Sequence, residues 1–364
     1  MNLPSPPFRT LPGRRTVLST LALPALLSLP LRRARAAPPD TIRIGFAATG
    51  LGGRPYCPLT TLAIAHVRGL VAQRLPGTQI EWSFFNGGPL LTETLAAGRL
   101  DFLYHGDLPS VVARSAGLRT RLLAPIQLRG QLHLAVPKDS PILSLSDLRG
   151  KTVADFKGTA LQLAVARVLG SVGLSENDVR TVNMDLATSQ AALISGQIDA
   201  AFTTFVSEEL RQRGLIRYAY STDPASAALA SISGLLVTED FAAAHPEVVD
   251  RVVEAVVDGA HWGSEPANRA AAYELWARSG YPLSAYHAEL DGAPLAPVLS
   301  PVWDAYAIGR YRAAVADSLR FRLIRRPVDV DAWIDPQPVE RALARLNLQT
   351  YWPRYGADGN TQRT

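Results

Sequence analysis

The chain is poor in the side chains from which most reactive centres are built. Cys57 is the only cysteine among 364 residues, so no disulfide closes within the chain, and it reads as a buried, inert thiol. The six histidines, at 66, 105, 133, 245, 261 and 287, include no pair at i,i+2 or i,i+4, so metal binding has no support. A G-x-S-x-G nucleophile elbow is absent. No segment beyond residue 36 approaches 18 consecutive apolar residues, which excludes a later membrane span. Acid is missing from residues 1–36, which hold Arg9, Arg14, Arg15, Arg32, Arg33 and Arg35. That segment carries +6 and so accounts for the whole formal charge of +5, because the rest has 31 basic against 32 acidic side chains. Nucleic-acid binding loses its main support there.

The first 36 residues have the form of an export signal. Arg14-Arg15 precedes the apolar run at 16–31, and Ala34-Arg35-Ala36 fits a small-x-small cleavage site. The pattern is twin-arginine-like, with cleavage expected near Ala36 and a periplasmic destination. An uncleaved anchor is the alternative reading.

From residue 37 strands and helices alternate, which implies an α/β protein with mainly parallel sheets flanked by helices. The expected division is 37–131 plus 237–300 as one lobe and 132–236 as a second. Residues 301–364 then form a helical C-terminal extension ending in a disordered GADGNTQRT tail. AVPKDS and SGLLV are expected to cross between the lobes and make a hinge. Two phosphate-binding imitations fail. Pro55 occupies the third glycine position of Gly50-Leu51-Gly52-Gly53-Arg54-Pro55, with no acid about twenty residues on. Gly150-Lys151-Thr152 precedes a strand instead of following one.

Three strand-to-turn-to-helix junctions remain: Ala48 to Arg54, His105 to Pro109, and Phe156 to Ala160. Each offers backbone N–H groups in the crevice at a strand's carboxyl end, where open α/β sheets bind ligands. Thr49, Arg54, His105, Lys157 and Thr159 add hydroxyls or cations, a donor set suited to an anion and needing no acid/base pair. Asp107 has the chemistry of an N-cap, and Pro109 falls in the first turn, where its missing N–H costs nothing. The stretch LAAG-RLDFLYHGD (95–107) has an echo in LISG-QIDAAFTTF (193–205). Two similar lobes facing each other explain the echo; so does ordinary reuse of helix–Gly–strand junctions.

Taken in order, IRIGF, GGPLLTETLAAGRLDFLYHGDLPSVVARSAG, AVPKDSPILSLSDLRGKTVADFKGTALQLAVARVLGSVGL and AALISGQIDAAFTTF resemble a known family. It is that of the periplasmic substrate-binding proteins of ABC importers for nitrate, taurine and alkanesulfonates, related to thiamine-precursor binding proteins. The resemblance implies a two-lobed periplasmic-binding-protein fold (type II) hinged by two crossings. It implies no catalysis and no cofactor, a monomer, a small anionic solute as ligand, and an ABC permease with its ATPase as partners. It places ligand contacts at Thr49 and Gly50, at Gly106, Asp107, Leu108 and Pro109, and at Lys157, Gly158 and Thr159, and Arg54 and His105 of the donor set above stand beside them as further candidates. Thr204, after the echo strand, completes the set. There the chain departs from the family, having Thr204-Phe205-Val206 in place of a Trp-Asp-Pro-type sequence, and the Gln-containing first loop of sulfonate binders is missing. Asp107→Ala and Lys157→Ala are each expected to weaken binding at least tenfold without loss of fold. An enzyme related to thiamine-precursor proteins, or a sensor ectodomain, are the other readings on the same scaffold.

Overall fold

A computed structural model of the chain describes Met1 and residues 39–222, 226 and 228–362. The export-signal reading therefore falls outside the described residues. Ten strands form among the described residues: β1 (Thr41–Phe46), β2 (Gln79–Phe84), β3 (Phe102–Gly106), β4 (Thr120–Gly130), β5 (His133–Pro137), β6 (Thr152–Asp155), β7 (Arg180–Asn183), β8 (Ala200–Thr203), β9 (Ile216–Ser221) and β10 (Ser231–Thr238). They make two five-stranded sheets, ordered β2-β1-β3-β10-β4 and β7-β6-β8-β5-β9.

The two sheets have one pairing scheme. In each, the first three strands run parallel, and the last two pairings are antiparallel. The sheets are thus mixed, where mainly parallel sheets were expected. The cause lies in β5 and β10. Each is the first strand after the chain changes sheets, and among the described residues neither is preceded by the crossover helix that a parallel neighbour requires. AVPKDS and SGLLV are accordingly not the crossings. SGLLV lies within β10 and the first half of AVPKDS within β5, and the chain changes sheets before each of them, between β4 and β5 and between β9 and β10. Edge strand β9 was not expected at all.

The echo corresponds to equivalent places. β3 and β8 are the third strand of their sheets, and the Asp of each repeat does the same work. Asp101 Oδ2 accepts from the Arg43 N–H at 2.8 Å, and Asp199 Oδ2 from the Thr152 N–H at 2.7 Å. Each carboxylate satisfies the backbone of the neighbouring strand where pairing begins.

One core covers the first sheet. The long helix Pro246–Ser264 lays Val248, Val249, Val252, Val253, Val256 and Val257 into it, as the valine periodicity predicts. Tyr306, Tyr311, Trp333 and Trp352 of the C-terminal region enter the same core, so this region is part of the first sheet's packing. The second sheet has smaller clusters around Leu134, Val136 and Val168 and around Ile198 and Ile216. Gly69, with a φ of +66°, separates the helix Thr61–Val67 from the helix Leu70–Arg74. The C-terminal tail is structured as far as it is described. Tyr355 bridges Thr361, the Gly356 N–H donates to Asn360 O at 2.8 Å, and Arg129 Nη2 donates to Gly359 O at 2.9 Å. The Arg129 guanidinium also lies 4.7 Å from the Tyr306 ring and 4.9 Å from the Tyr355 ring, clasping the hairpin.

Candidate anion-binding cleft

A cavity of about 440 Å³ opens between the carboxyl ends of the parallel strands of the two sheets. Four helices of nine to twelve residues start on its wall: Gly88–Ala96, Asp107–Ser115, Ala160–Ser171 and Leu186–Ile194. The first two follow β2 and β3 of the first sheet. The other two follow β6 and β7 of the second. Short 3-10 turns at Leu51–Gly53, after β1, and Phe205–Ser207, after β8, add two more starts. Parallel βα geometry aims all six at one point, and each helix start brings unpaired N–H groups and positive dipole.

Six of the twelve expected site residues line this cavity: Thr49, Gly50, Gly106, Pro109, Thr159 and Thr204. The other six lie off its wall. Arg54 packs against Gly280, where an added Cβ would come within 2.9 Å of its Nη1. His105 is buried, and its Nε2–H donates to Gly88 O at 3.3 Å. Burial holds its pKa down to about 4, so it is neutral near pH 7. Lys157 Nζ donates to Glu176 at 3.0 Å, and the Gly158 N–H donates to Gln162 Oε1 at 2.9 Å.

Asp107 is not the N-cap. Gly106 holds that position and Asp107 is the first helical residue. Its Oδ1 accepts from the Leu108 N–H at 2.8 Å, and its Oδ2 faces Arg167 Nη1 at 3.4 Å. The carboxylate is fully buried. Desolvation pushes its pKa up, against the opposing pull of Arg167, the Leu108 amide and Arg310.

The sequence reading missed Asn86, Gly87 and Gly88 on one side of the cavity and Asp185, Leu186 and Ala187 on the other. Both segments carry the same signature as the recognised junctions, a strand, then Asn-Gly-Gly-Pro or Met-Asp, then a helix. Asn86 Nδ2 donates to Asp185 Oδ2 at 3.0 Å, joining the two sheets' junctions across the mouth, while Asp185 Oδ1 caps Thr188 at 2.7 Å. Nothing local marks Gln127 or Tyr281, which reach the wall from β4 and from the loop after the Trp276 helix. Gly50 is dictated by that loop: a Cβ there would meet Ser279 O at 2.2 Å, and the Leu51 N–H donates to the same oxygen at 2.7 Å.

Among the described residues the wall contains no Lys, Arg or His, and Asp185 is its one carboxylate. Among the described residues no cluster of three His, Cys, Asp or Glu fits a metal. An anion held here would rest on backbone N–H groups, Thr49 and Thr204, and the amides of Asn86 and Gln127. Each helix start is worth about 0.3–1 kcal/mol, and up to about 2 when partly buried. A hydrogen bond to a charged group adds about 1.5–3 kcal/mol. A few of these reach the roughly 8 kcal/mol of micromolar binding after ordering costs.

Asp155, buried at the end of β6, titrates against the histidines. Burial and then Glu176 raise its pKa to about 7, against the pull of Lys157. The folded chain therefore keeps a proton that the unfolded chain loses near the ordinary carboxyl value of 3.8, and this stabilisation, full below pH 3.8, is lost as pH rises to and through 7. His66 and His105, both held down to about 4, act the other way, costing stability as pH falls below 6.5. Asp155→Asn is expected to gain on wild type as pH rises, reaching about 3–4 kcal/mol above pH 7. Thermal denaturation from pH 5 to 8 tests this, and parallel curves for the two proteins would refute it.

Comparison with known proteins places the chain in a family. Residues 84–269 match the family described as NMT1/THI5 like. The chain belongs to that family. An Escherichia coli K12 protein named for binding aliphatic sulfonates is 30% identical over 200 residues, 54% of this chain and 60% of that protein. The chain thus spans little more than half the length of that curated relative. A crystal structure from Methylobacillus flagellatus KT, named as the periplasmic sulfonate-binding protein SsuA, is 30% identical with a TM-score of 0.75, over 87% of this chain and 97% of that one. The fold is that of the periplasmic binding proteins. It also recurs in a structure named as the desulfurization enzyme DSZB, at 20% identity and a TM-score of 0.63 over 85% and 100% of the two chains. At that distance only the fold is shared.

Proposed function

We propose that the chain is the exported solute-binding component of an ABC import system, working in the periplasm. It captures a small anion of the sulfonate type between two lobes and hands it to a permease and its ATPase. The first lobe is built on β1–β4 and β10 with the C-terminal helices, the second on β5–β9. The carrying observation is the convergence of four helix starts from both sheets on one cavity whose wall, among the described residues, has no cation. Ligand contacts from both lobes exist together only when they are shut, so ligand shifts the hinge equilibrium toward closure. Similarity to sulfonate-binding proteins supports the choice of head group. Among the described residues no helix is long and apolar enough to cross a membrane.

Thermal-shift screening of nitrate, taurine, alkanesulfonates, carboxylates and thiamine precursors tests the reading. Sulfonates at a hundred times Kd are expected to stabilise by about 2.7 kcal/mol. A flat response across all of them would overturn it. A first residue just after 36 in the exported protein favours this reading, whereas retention of the leader favours a sensor ectodomain.

A binding role also fits the one thiol in the cleft. Cys57 lines the cavity, yet burial pushes its pKa up to about 12, outweighing the hydrogen bond from Thr60. No histidine, lysine or arginine on the wall is there to activate it. Cys57→Ser is expected to keep ligand affinity within threefold. A much larger loss, read by calorimetry, would instead place the thiol among the ligand contacts.

A further inference from the structure

Seven asparagines stand in the chain, and Asn86 alone is followed by glycine. That pair is prone to a reaction that needs no enzyme. The glycine nitrogen has no neighbouring side chain to obstruct it, and it attacks the side-chain carbonyl carbon of the asparagine. An N–C bond forms, ammonia leaves, and a five-membered succinimide closes. Water then opens the ring at either carbonyl, leaving aspartate or, where the main chain now runs through the side chain, isoaspartate. Nothing is oxidised or reduced.

The fold gives the second position no alternative to glycine. Gly87 has φ +96°, and a Cβ there would stand 2.9 Å from the ring of Phe156, which follows β6 of the second sheet. Two hydrogen bonds oppose the reaction while the two sides of the mouth are together. The Gly87 N–H, on the attacking nitrogen, donates to Phe85 O at 2.9 Å. Asn86 Nδ2, the group that leaves, donates to Asp185 Oδ2 at 3.0 Å. Parting the two sides ends the second bond and frees the exposed Asn86 side chain to turn toward its own main chain.

The product puts charge where the mouth does not accept it. Asp185 is ionised near pH 7, its pKa held down first by the Thr188 amide. An aspartate at position 86, with an ordinary pKa of about 3.9, is ionised as well. Two carboxylates then face each other where an amide donated, and the described wall of the cleft holds two negative charges in place of one. Isoaspartate also adds a main-chain carbon just before the helix Gly88–Ala96, one of the four that start on the cleft.

We propose that Asn86 is a site of spontaneous covalent modification, and that its conversion to an acid parts the lobes and retires the protein as a binder. An occupied, shut cleft holds the side chain away from Gly87, so ligand slows the conversion. Only this ligand dependence rests on the anion reading of the cleft.

Peptide mapping by mass spectrometry, on native protein aged at mildly alkaline pH, is the first test. Asn86 is expected to exchange NH2 for OH before any of the other six asparagines, and several-fold more slowly with saturating methanesulfonate. An Asn86 that outlasts any of the others overturns the site. Asn86→Asp is expected to enlarge the radius of gyration of the ligand-free protein and to weaken methanesulfonate binding roughly tenfold or more. Asp185→Asn in that background keeps a capping side chain for Thr188 and is expected to recover most of the radius. An unchanged radius with unchanged affinity overturns the link to the lobes. If methanesulfonate fails to bind even fresh protein, the anion reading falls, and the mass and the radius still decide the proposal.

Discussion

A Gly106→Val variant is expected to lose ligand affinity at least a hundredfold while folding normally. Gly106 has φ −69° and ψ 168°, a conformation open to any residue, so no backbone strain calls for glycine. The requirement comes from the opposite side of the cleft. A Cβ on Gly106 would stand 2.7 Å from the Ala160 Cβ, at the start of a helix built on the other sheet. Two methyl-sized groups at that distance overlap, and Ala160, with no torsion to turn, has nowhere to send its own. Overpacking of this kind costs about 1–3 kcal/mol, and a tenfold change in binding is about 1.4 kcal/mol. Alanine should therefore cost roughly tenfold, and the larger valine a hundredfold or more. The two lobes escape the clash by moving apart, so the loss appears in binding and not in folding. Ala160→Gly, placed at the first position of its helix, is expected to restore most of the affinity of Gly106→Ala. Calorimetry on both single variants and the pair provides the double-mutant cycle. Unchanged affinity in Gly106→Val would show that these surfaces need not meet for binding. The neighbouring glycines give a less clean test. Cβ atoms at Gly87 and Gly158 would meet Phe156 and Pro89 at 2.9 and 2.8 Å, but their φ values of +96° and +75° would strain the variant's own backbone.

Gly106 illustrates what a sequence discloses. The turn was legible because Gly-Asp-x-Pro between a strand and a helix is local chemistry, and the same holds for Thr159 and Gly50. The helix Pro246–Ser264 and the α/β alternation were legible through periodicity. Asn86 and Asp185 carried the same local signal and were readable in principle. What a helix start faces is not local. Arg54, His105 and Lys157 have side chains of the right type at the right turns, yet Gly280, Gly88 and Glu176 are positioned by distant segments and draw them away from the cavity. The direction of β5 and β10 was hidden for a similar reason, since it depends on where the chain changes sheets. The tail was misread because polar, glycine-rich composition reads as disorder, whereas Arg129, some two hundred residues earlier, supplies the partner that orders it.

Asp107→Ala is expected to weaken binding a hundredfold or more while lowering the melting temperature of the ligand-free protein by less than about 2 °C. The size matches what the sequence suggested; the cause is different, because the carboxylate is turned from the cavity. Asp107 belongs to the helix after β3, and Arg167 to the helix after β6, so their contact joins the two sheets. Arg167 is 3% exposed and also donates through Nε to Asp317 Oδ2 at 2.7 Å, on the C-terminal helix Ala305–Arg320. Arg310 of that helix is buried nearby, and burial together with Arg167 lowers its pKa. Without Asp107, two buried guanidinium groups are left with less opposing charge, a penalty of about 3–5 kcal/mol when a buried pair is broken. Unfolding is not the only release. Separating the lobes returns Arg167 to water, so most of the penalty should be expressed as a shift toward the open form. Arg167→Ala is expected to weaken binding by a similar factor, and the double variant to be no worse than the worse single one. If Asp107 instead touched the ligand directly, Arg167→Ala would leave affinity intact, and the pair of variants would separate cleanly in a calorimetric cycle. Small-angle scattering supplies the second readout. The ligand-bound radius of gyration of Asp107→Ala at saturation should equal that of wild type, because enough ligand still closes the cleft. A large fall in ligand-free stability with normal affinity per folded molecule would assign this cluster to folding alone.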